Sequence, residues 1–188
     1  MELCNDHYRI SLNIKSQPNL DVFDVVHNPE RVDTKNFYMA RVLQVHGIGG
    51  SVLTVAVLDT ICAGYESWAV LNGNQLIVIL FSAIVRIDLV TGAMIQYEYC
   101  DNLGGLHEIY PIDNGYIIWG EGEIFRYSLN LNRVWSVSGR DILVSLHFNR
   151  HFWIDGEVIH VRDFEGWHYV YDLDGKLLCD FREAPGAI

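Results

Sequence analysis

Four short stretches carry residue types that could do chemistry. DLDG, Asp172 to Gly175, offers carboxylates at positions 1 and 3 of a calcium loop, with Glu183 at position 12. Positions 5 and 6 are Lys176 and Leu177, where such a loop needs an oxygen ligand and a glycine. A lysine there puts a positive charge among the ligands, so DLDG reads as a turn. HFNRH sets His147 and His151 four apart, a metal-binding spacing on a helix. Its flanks, ILVSLHF and FWID, read as strands, and no carboxylate or cysteine stands at a zinc-like distance. These are expected to be sheet or rim histidines, with His160 and His168 able to approach them across a sheet. GEGE offers Glu121 and Glu123, two apart and on one face of a strand, as a pair for acid–base work on a glycoside. Nothing else marks a sugar site, so a charged hairpin tip is expected. HGIGGS, from His46, lacks the Gly-Lys-Ser/Thr ending of a phosphate loop and reads as a hairpin loop. G-x-S-x-G and H-E-x-x-H are absent. The reading is a protein without catalysis, cofactor or metal.

The elements that must position these residues repeat. Ser67 to Tyr99, Glu108 to Gly139 and Phe152 to Phe181 align with one another. Each opens on a short strand and an Asn-Gly or Asp-Gly turn, at Gly73, Gly115 and Gly156, spaced 42 and 41 residues apart. Two β-rich runs follow, then a polar-plus-leucine step (Asp88-Leu89, Ser128-Leu129, Asp172-Leu173), a turn and a last strand. Such dipeptides supply the positive φ of tight hairpins, and the branched and aromatic runs suit a pleated surface. Each repeat is therefore a four-stranded antiparallel meander. One such sheet cannot bury both faces alone, so neighbours stack.

The third repeat, DGEVIHV…WHYVYDLDGKLLCDF, resembles blades of quinoprotein and WD-type β-propellers, as do NGYIIWGEGEIFRYSLNLNRVW and RIDLVTGAM in the other two. The Trp-Asp dipeptide that ends WD blades is missing. The resemblance implies an all-β fold of stacked propeller-like blades: three clear repeats plus a divergent N-terminal β region over residues 1–60. Three blades do not close an ordinary propeller. The expectation is an open fan, part of a dimeric ring, or a smaller propeller completed by residues 8–60. That region predicts four strands (HYRISLNIK, LDVFDVV, FYMARVLQV, SVLTVAVLDT), with room for one helical turn after Pro29. Residues 1–188 read as a single domain.

Bulk properties limit the partners. The net charge of −11 argues against direct nucleic-acid binding and favours a cationic partner. The excess lies mostly in residues 61–188, with 17 acids against 8 bases. Cys4, Cys62, Cys100 and Cys179 form no C-x-x-C pair and are expected to be small buried hydrophobes. The longest apolar run, Leu76 to Val85, is too short to span a bilayer, and the first residues do not form a secretory signal. A reducing, bacterial-type cytoplasm fits.

In an up-and-down blade the loop between the second and third strands shares a rim with the link to the next blade. Asp101, Glu121, Glu123, Asp163 and Glu165 should therefore share one rim with Trp119 and Trp167. Carboxylates with aromatics suit a basic protein: charge speeds encounter and buried aromatics hold the complex. A small acidic chain of this kind is similar to immunity proteins of bacterial polymorphic and contact-dependent toxin systems. That resemblance implies an inhibitor covering a basic, nuclease-type toxin domain. Two other classes stand beside it: a scaffold completed by pairing with a second copy, and a hydrolase with its site on a propeller axis.

Overall fold

Alternating and continuous runs of Val, Ile, Leu and aromatic residues make strands throughout the chain. The computed structural model describes residues 1–61, 66–100, 104–145 and 148–183. Two compact units divide it: residues 1–101 with 107–109, and residues 102–106 with 110–188. No helix among the described residues is long and apolar enough to cross a membrane.

The first unit holds two sheets. The N-terminal sheet contains β1 (Glu2–Cys4), β2 (Tyr8–Ser16), β3 (Val25–His27), β4 (Met39–Gly47) and β5 (Val52–Asp59), in the order β1-β2-β4-β5-β3. It has five strands, one more than expected, and β3 runs parallel to β5. The helical turn expected after Pro29 is not formed; a 3-10 turn lies earlier, at Leu20–Val22. One face of this sheet (Ile10, Leu12, Leu43, Val45, Val55, Val57) is fully buried. On the other, Ala40, Val42 and Leu58 pack under Val32 and Tyr38, with Leu20 and Phe23 against them. The stretches on either side of β3, residues 17–24 and 28–38, are thus folded back as a cover. The Tyr38 hydroxyl donates to the Pro18 carbonyl, and the Asn28 side chain bonds both backbone groups of Val32. The second sheet is the meander β6 (Ala69–Asn72), β7 (Gln75–Ile79), β8 (Ala83–Asp88) and β9 (Met94–Tyr99). Leu76 to Ile79 are buried without alternation, as a strand covered on both faces requires.

The second unit is built on two further meanders. These are β10 (Leu106–Ile112), β11 (Gly115–Gly120), β12 (Glu123–Ser128) and β13 (Arg133–Ser138), then β14 (Phe152–Asp155), β15 (Val158–Arg162), β16 (Trp167–Asp172) and β17 (Leu177–Arg182). The fold is all-β, with the three four-stranded antiparallel sheets where the repeats predict them. Phe152 stacks on Trp119 at 5.6 Å between centroids, and the Tyr171 hydroxyl donates to the Ser138 carbonyl, so one face of the last sheet packs on its neighbour.

The turns show why the repeat pattern recurs. Gly73 and Gly156 begin two-residue hairpin loops with φ of 59° and 60°, as Asn-Gly and Asp-Gly predict. Gly115 differs: it opens β11, and a Cβ there would overlap the Tyr127 carbonyl. The polar residue before each leucine holds the last turn. Asp88 Oδ1 accepts from the amides of Val90 and Thr91, Ser128 Oγ from Asn132, and Asp172 Oδ1 from Asp174 and Lys176. DLDG is therefore a turn, closed by Gly175 at φ 80°. Of the cysteines, Cys100 is buried, whereas Cys4 and Cys179 are exposed, against expectation; Cys62 lies outside the described residues.

Candidate protein-binding rim

Two strand connections and one linker of the second unit are tied together. Glu121-Gly122 joins β11 to β12, residues 163–166 join β15 to β16, and residues 139–145 follow β13. The Leu143 amide donates to the Glu121 carbonyl at 2.6 Å, and the Trp119 indole donates to the Leu143 carbonyl at 3.1 Å. The Phe164 amide donates to the Ile142 carbonyl at 2.8 Å, and the Arg140 amide to the Tyr169 hydroxyl at 2.9 Å. The shared rim that the blade geometry predicts is formed by these bonds, with Leu143 buried beneath it.

The individual residues fall differently. Glu121 and Glu123 are half-buried and Glu165 is exposed. Trp167 is half-buried, with the Arg140 guanidinium 3.6 Å above its ring; Arg140 is also paired to Asp180 at 2.6 Å. Asp163 and Trp119 are not presented to solvent, in contrast to the expectation from sequence. Asp163 is fully buried, its carboxylate accepting from the Trp167 amide at 2.8 Å and the Tyr169 hydroxyl at 2.7 Å. Burial, and then the hydrogen bond to Asp163, push the Tyr169 phenol well above its ordinary range. Trp119 lies between Phe152 and His151 and builds the rim from below. Asp101 and His147 lie outside the described residues.

Sequence reasoning missed Ile142 and Phe164, which are 38% and 41% exposed beside Asp141 and Glu165. The signal was present: single apolar residues inside the polar loops RDIL and RDFEG. The Phe164–Ile142 backbone bond thus brings two exposed apolar residues onto the loops that also carry Glu121, Asp141 and Glu165.

A second arrangement occupies the free face of the last sheet. Register places His160 opposite Val170 and Arg162 opposite His168, with Phe181 beyond His168. His160 Nδ1 and His168 Nε2 are 3.0 Å apart, and His168 Nδ1 lies 2.7 Å from Glu183 Oε1. Arg162 grips the same carboxylate through Nε and Nη2, at 2.9 and 3.1 Å. Trp153 stacks flat on His160 at 4.7 Å, and Arg150 and Arg162 lie over its ring. Burial lowers the imidazole pKa values of His160 and His168, more than Glu183 restores His168. Burial alone would raise the Glu183 carboxyl, but its bonds to Arg162 and His168 outweigh this and hold it low. The carboxylate–imidazole–imidazole chain can orient a tautomer and relay a proton, and it fastens the end of β17 to β15 and β16. His160 and His168, expected to approach His147 and His151, instead bond to each other across the sheet.

No family model matches the chain, and no curated protein matches it. Solved structures do. The chain is similar to Raptor from Chaetomium thermophilum (15% identity, TM-score 0.54, covering 81% of this chain and 15% of that one). It is similar as well to the computationally designed Ika8 protein (13% identity, TM-score 0.53, covering 79% and 47%). A third is the WD40 domain of Pan2 from Neurospora crassa (12% identity, TM-score 0.47, covering 63% and 38%). The chain thus spans less than half the length of each of these three proteins. At such identities the likeness is one of fold alone: an all-β chain of propeller-like four-stranded sheets.

Proposed function

We propose that the chain is a non-catalytic protein-binding module whose rim, centred on Ile142 and Phe164 and bordered by Glu121, Glu123, Asp141, Glu165 and Trp167, receives a basic protein. The exposed apolar pair on loops that also carry Glu121, Asp141 and Glu165, in a chain of net charge −11, supports this reading. The apolar centre supplies contact energy and the carboxylates supply steering and specificity. In its narrower form the module is an immunity protein: the carboxylates stand where nucleic-acid phosphates would sit on a nuclease-type toxin domain and so block it. The test is co-purification from the native host at low salt. The triple variant Glu121→Lys, Glu123→Lys, Glu165→Lys should lose a basic partner that a control with three reversals elsewhere (Asp6, Asp33, Glu157) retains. A partner that survives the rim reversal sinks the reading.

A second reading, a scaffold completed by a second copy, is favoured by the edge strand β17, where Leu177, Leu178 and Phe181 are exposed. Sedimentation separates the two: a stable dimer of the isolated chain supports the scaffold, a monomer the partner-binding module.

A further inference from the structure

The first unit has a pocket that the rim reading does not use. It encloses about 430 Å³ and is lined by Pro29, Glu30, Arg31, Thr60, Ser82, Tyr97 and Tyr99. Tyr97 and Tyr99 alternate with Glu98 on β9, so both rings lie on one face, 38% and 59% exposed. Glu30 is half-buried. The Ser82 hydroxyl donates to its Oε1 at 2.6 Å, and its Oε2 has no hydrogen-bond partner among the described residues.

A buried charge pair lies near Glu30. Arg41, fully buried, stands 3.4 Å from Asp59 and lies over the Trp68 ring at 5.0 Å. Asp59 also accepts from the amides of Thr60 and Phe81. Glu30 has no ion pair within 4 Å among the described residues, although the Arg41 charge acts on it. Burial raises its carboxyl pKa, against the pull of Ser82 and Arg41, and Asp59 adds to the rise. The Tyr97 phenol is raised by burial and then by the Glu30 charge. The exposed Arg31, in the left-handed region at φ 55°, is the one cation among the described residues of the lining.

A half-buried carboxylate, one oxygen of which has no hydrogen-bond partner among the described residues, thus lies in a pocket whose lining includes two tyrosines. Such a site matches a planar cation, which takes a charge-assisted bond and stacks on aromatic rings. We propose that this pocket receives an arginine side chain of a protein partner, Glu30 binding the guanidinium and Tyr97 and Tyr99 stacking on it. The inference rests on the basic-partner reading only for the source of that arginine.

The probe is N-acetyl-arginine-amide, which presents the side chain without terminal charges. Titrated into the whole chain, it should shift the ring resonances of Tyr97 and Tyr99 saturably, with Kd on the order of millimolar. Glu30→Gln should weaken binding by about tenfold, while Arg31→Ala should tighten it about twofold by removing a like charge. N-acetyl-glutamate-amide should shift neither ring. Circular dichroism of each variant confirms that the fold is kept. Absence of a saturable shift overturns the proposal, as does undiminished binding to Glu30→Gln. Stronger binding of the anionic probe, or weakening by Arg31→Ala, overturns it too, since either outcome assigns the pocket to anions. Failure here leaves the rim reading standing, because that reading is decided by the rim variants.

Discussion

The N-terminal sheet and the last sheet each have a face turned away from the sheet that packs on them in their unit, and the two faces are finished differently. In the N-terminal sheet the stretches flanking β3, residues 17–24 and 28–38, return over the surface and bury Ala40, Val42 and Leu58 under Val32 and Tyr38. In the last sheet Trp153, His160, Arg162, His168, Phe181 and Glu183 bond and stack with one another, and part of the surface stays open. The first solution removes apolar area from water, a gain that hardly depends on pH. The second uses directional bonds between titratable groups, so its strength depends on their protonation. The same architecture is closed by packing at one place and by a polar network at another.

Truncating the apolar cover should have the largest effect. Leu58→Ala leaves a cavity under Val32 and Tyr38 and should cost about 2–5 kcal/mol in denaturant unfolding, with little change in pH dependence. A loss below about 1 kcal/mol would mean that these stretches are not a structural cover. Next, Glu183→Ala removes the acceptor shared by Arg162 and His168 and should cost about 1–3 kcal/mol, less than the burial loss because the site is partly solvated.

The pH response sharpens the contrast. His151, His160 and His168 have lowered pKa values in the folded chain, by burial first. The unfolded chain takes up these protons near the ordinary value of 6.5, the folded chain only at lower pH, so in that window the unfolded state binds more protons. Stability is full above about pH 6.5 and falls as the pH drops through it. Glu183, held low in the fold, acts in the same sense further down: its contribution is full above its ordinary 4.5 and is lost as the pH falls through its depressed value. Tm followed from pH 7.5 to 5.5 should therefore decline, and His168→Gln should flatten the decline while Leu58→Ala preserves it. A flat wild-type profile would remove the distinction between the two faces. The smallest effect belongs to Phe181→Ser, at the open edge of the network, which should change stability by no more than about 1 kcal/mol.

Legibility followed the range of the interactions. The three meanders were visible because their signals are local: alternation, branched side chains, and Asn-Gly or Asp-Gly at Gly73 and Gly156. The shared rim was visible because it follows from strand count alone. What failed was local to individual side chains. Asp163 and Trp119 look like surface residues in RDFEGW and IIWGEGE, yet Asp163 is drawn under the surface by Tyr169 and the Trp167 amide, and Trp119 by Leu143 and Phe152. A bulge recurs between the third and fourth strands of every four-stranded sheet, at Arg86/Ile87, Arg126/Tyr127 and Val170/Tyr171. The extra residue sharpens the twist of each closing hairpin, and no residue type announces it.

The sequence by itself determined the class of the fold, the number of meanders after residue 66, their turns, and the surplus of negative charge, because each depends on neighbours within a few residues. Only the tertiary structure decided which carboxylates face solvent and which are consumed. Asp163 became a buried acceptor, Asp59 an anchor for Arg41 and two amides, and Glu183 the hub of a histidine pair, while Glu30 kept an oxygen without a hydrogen-bond partner among the described residues. Whether a carboxylate is spent depends on donors that chain folding brings from up to tens of residues away, and no local pattern encodes that.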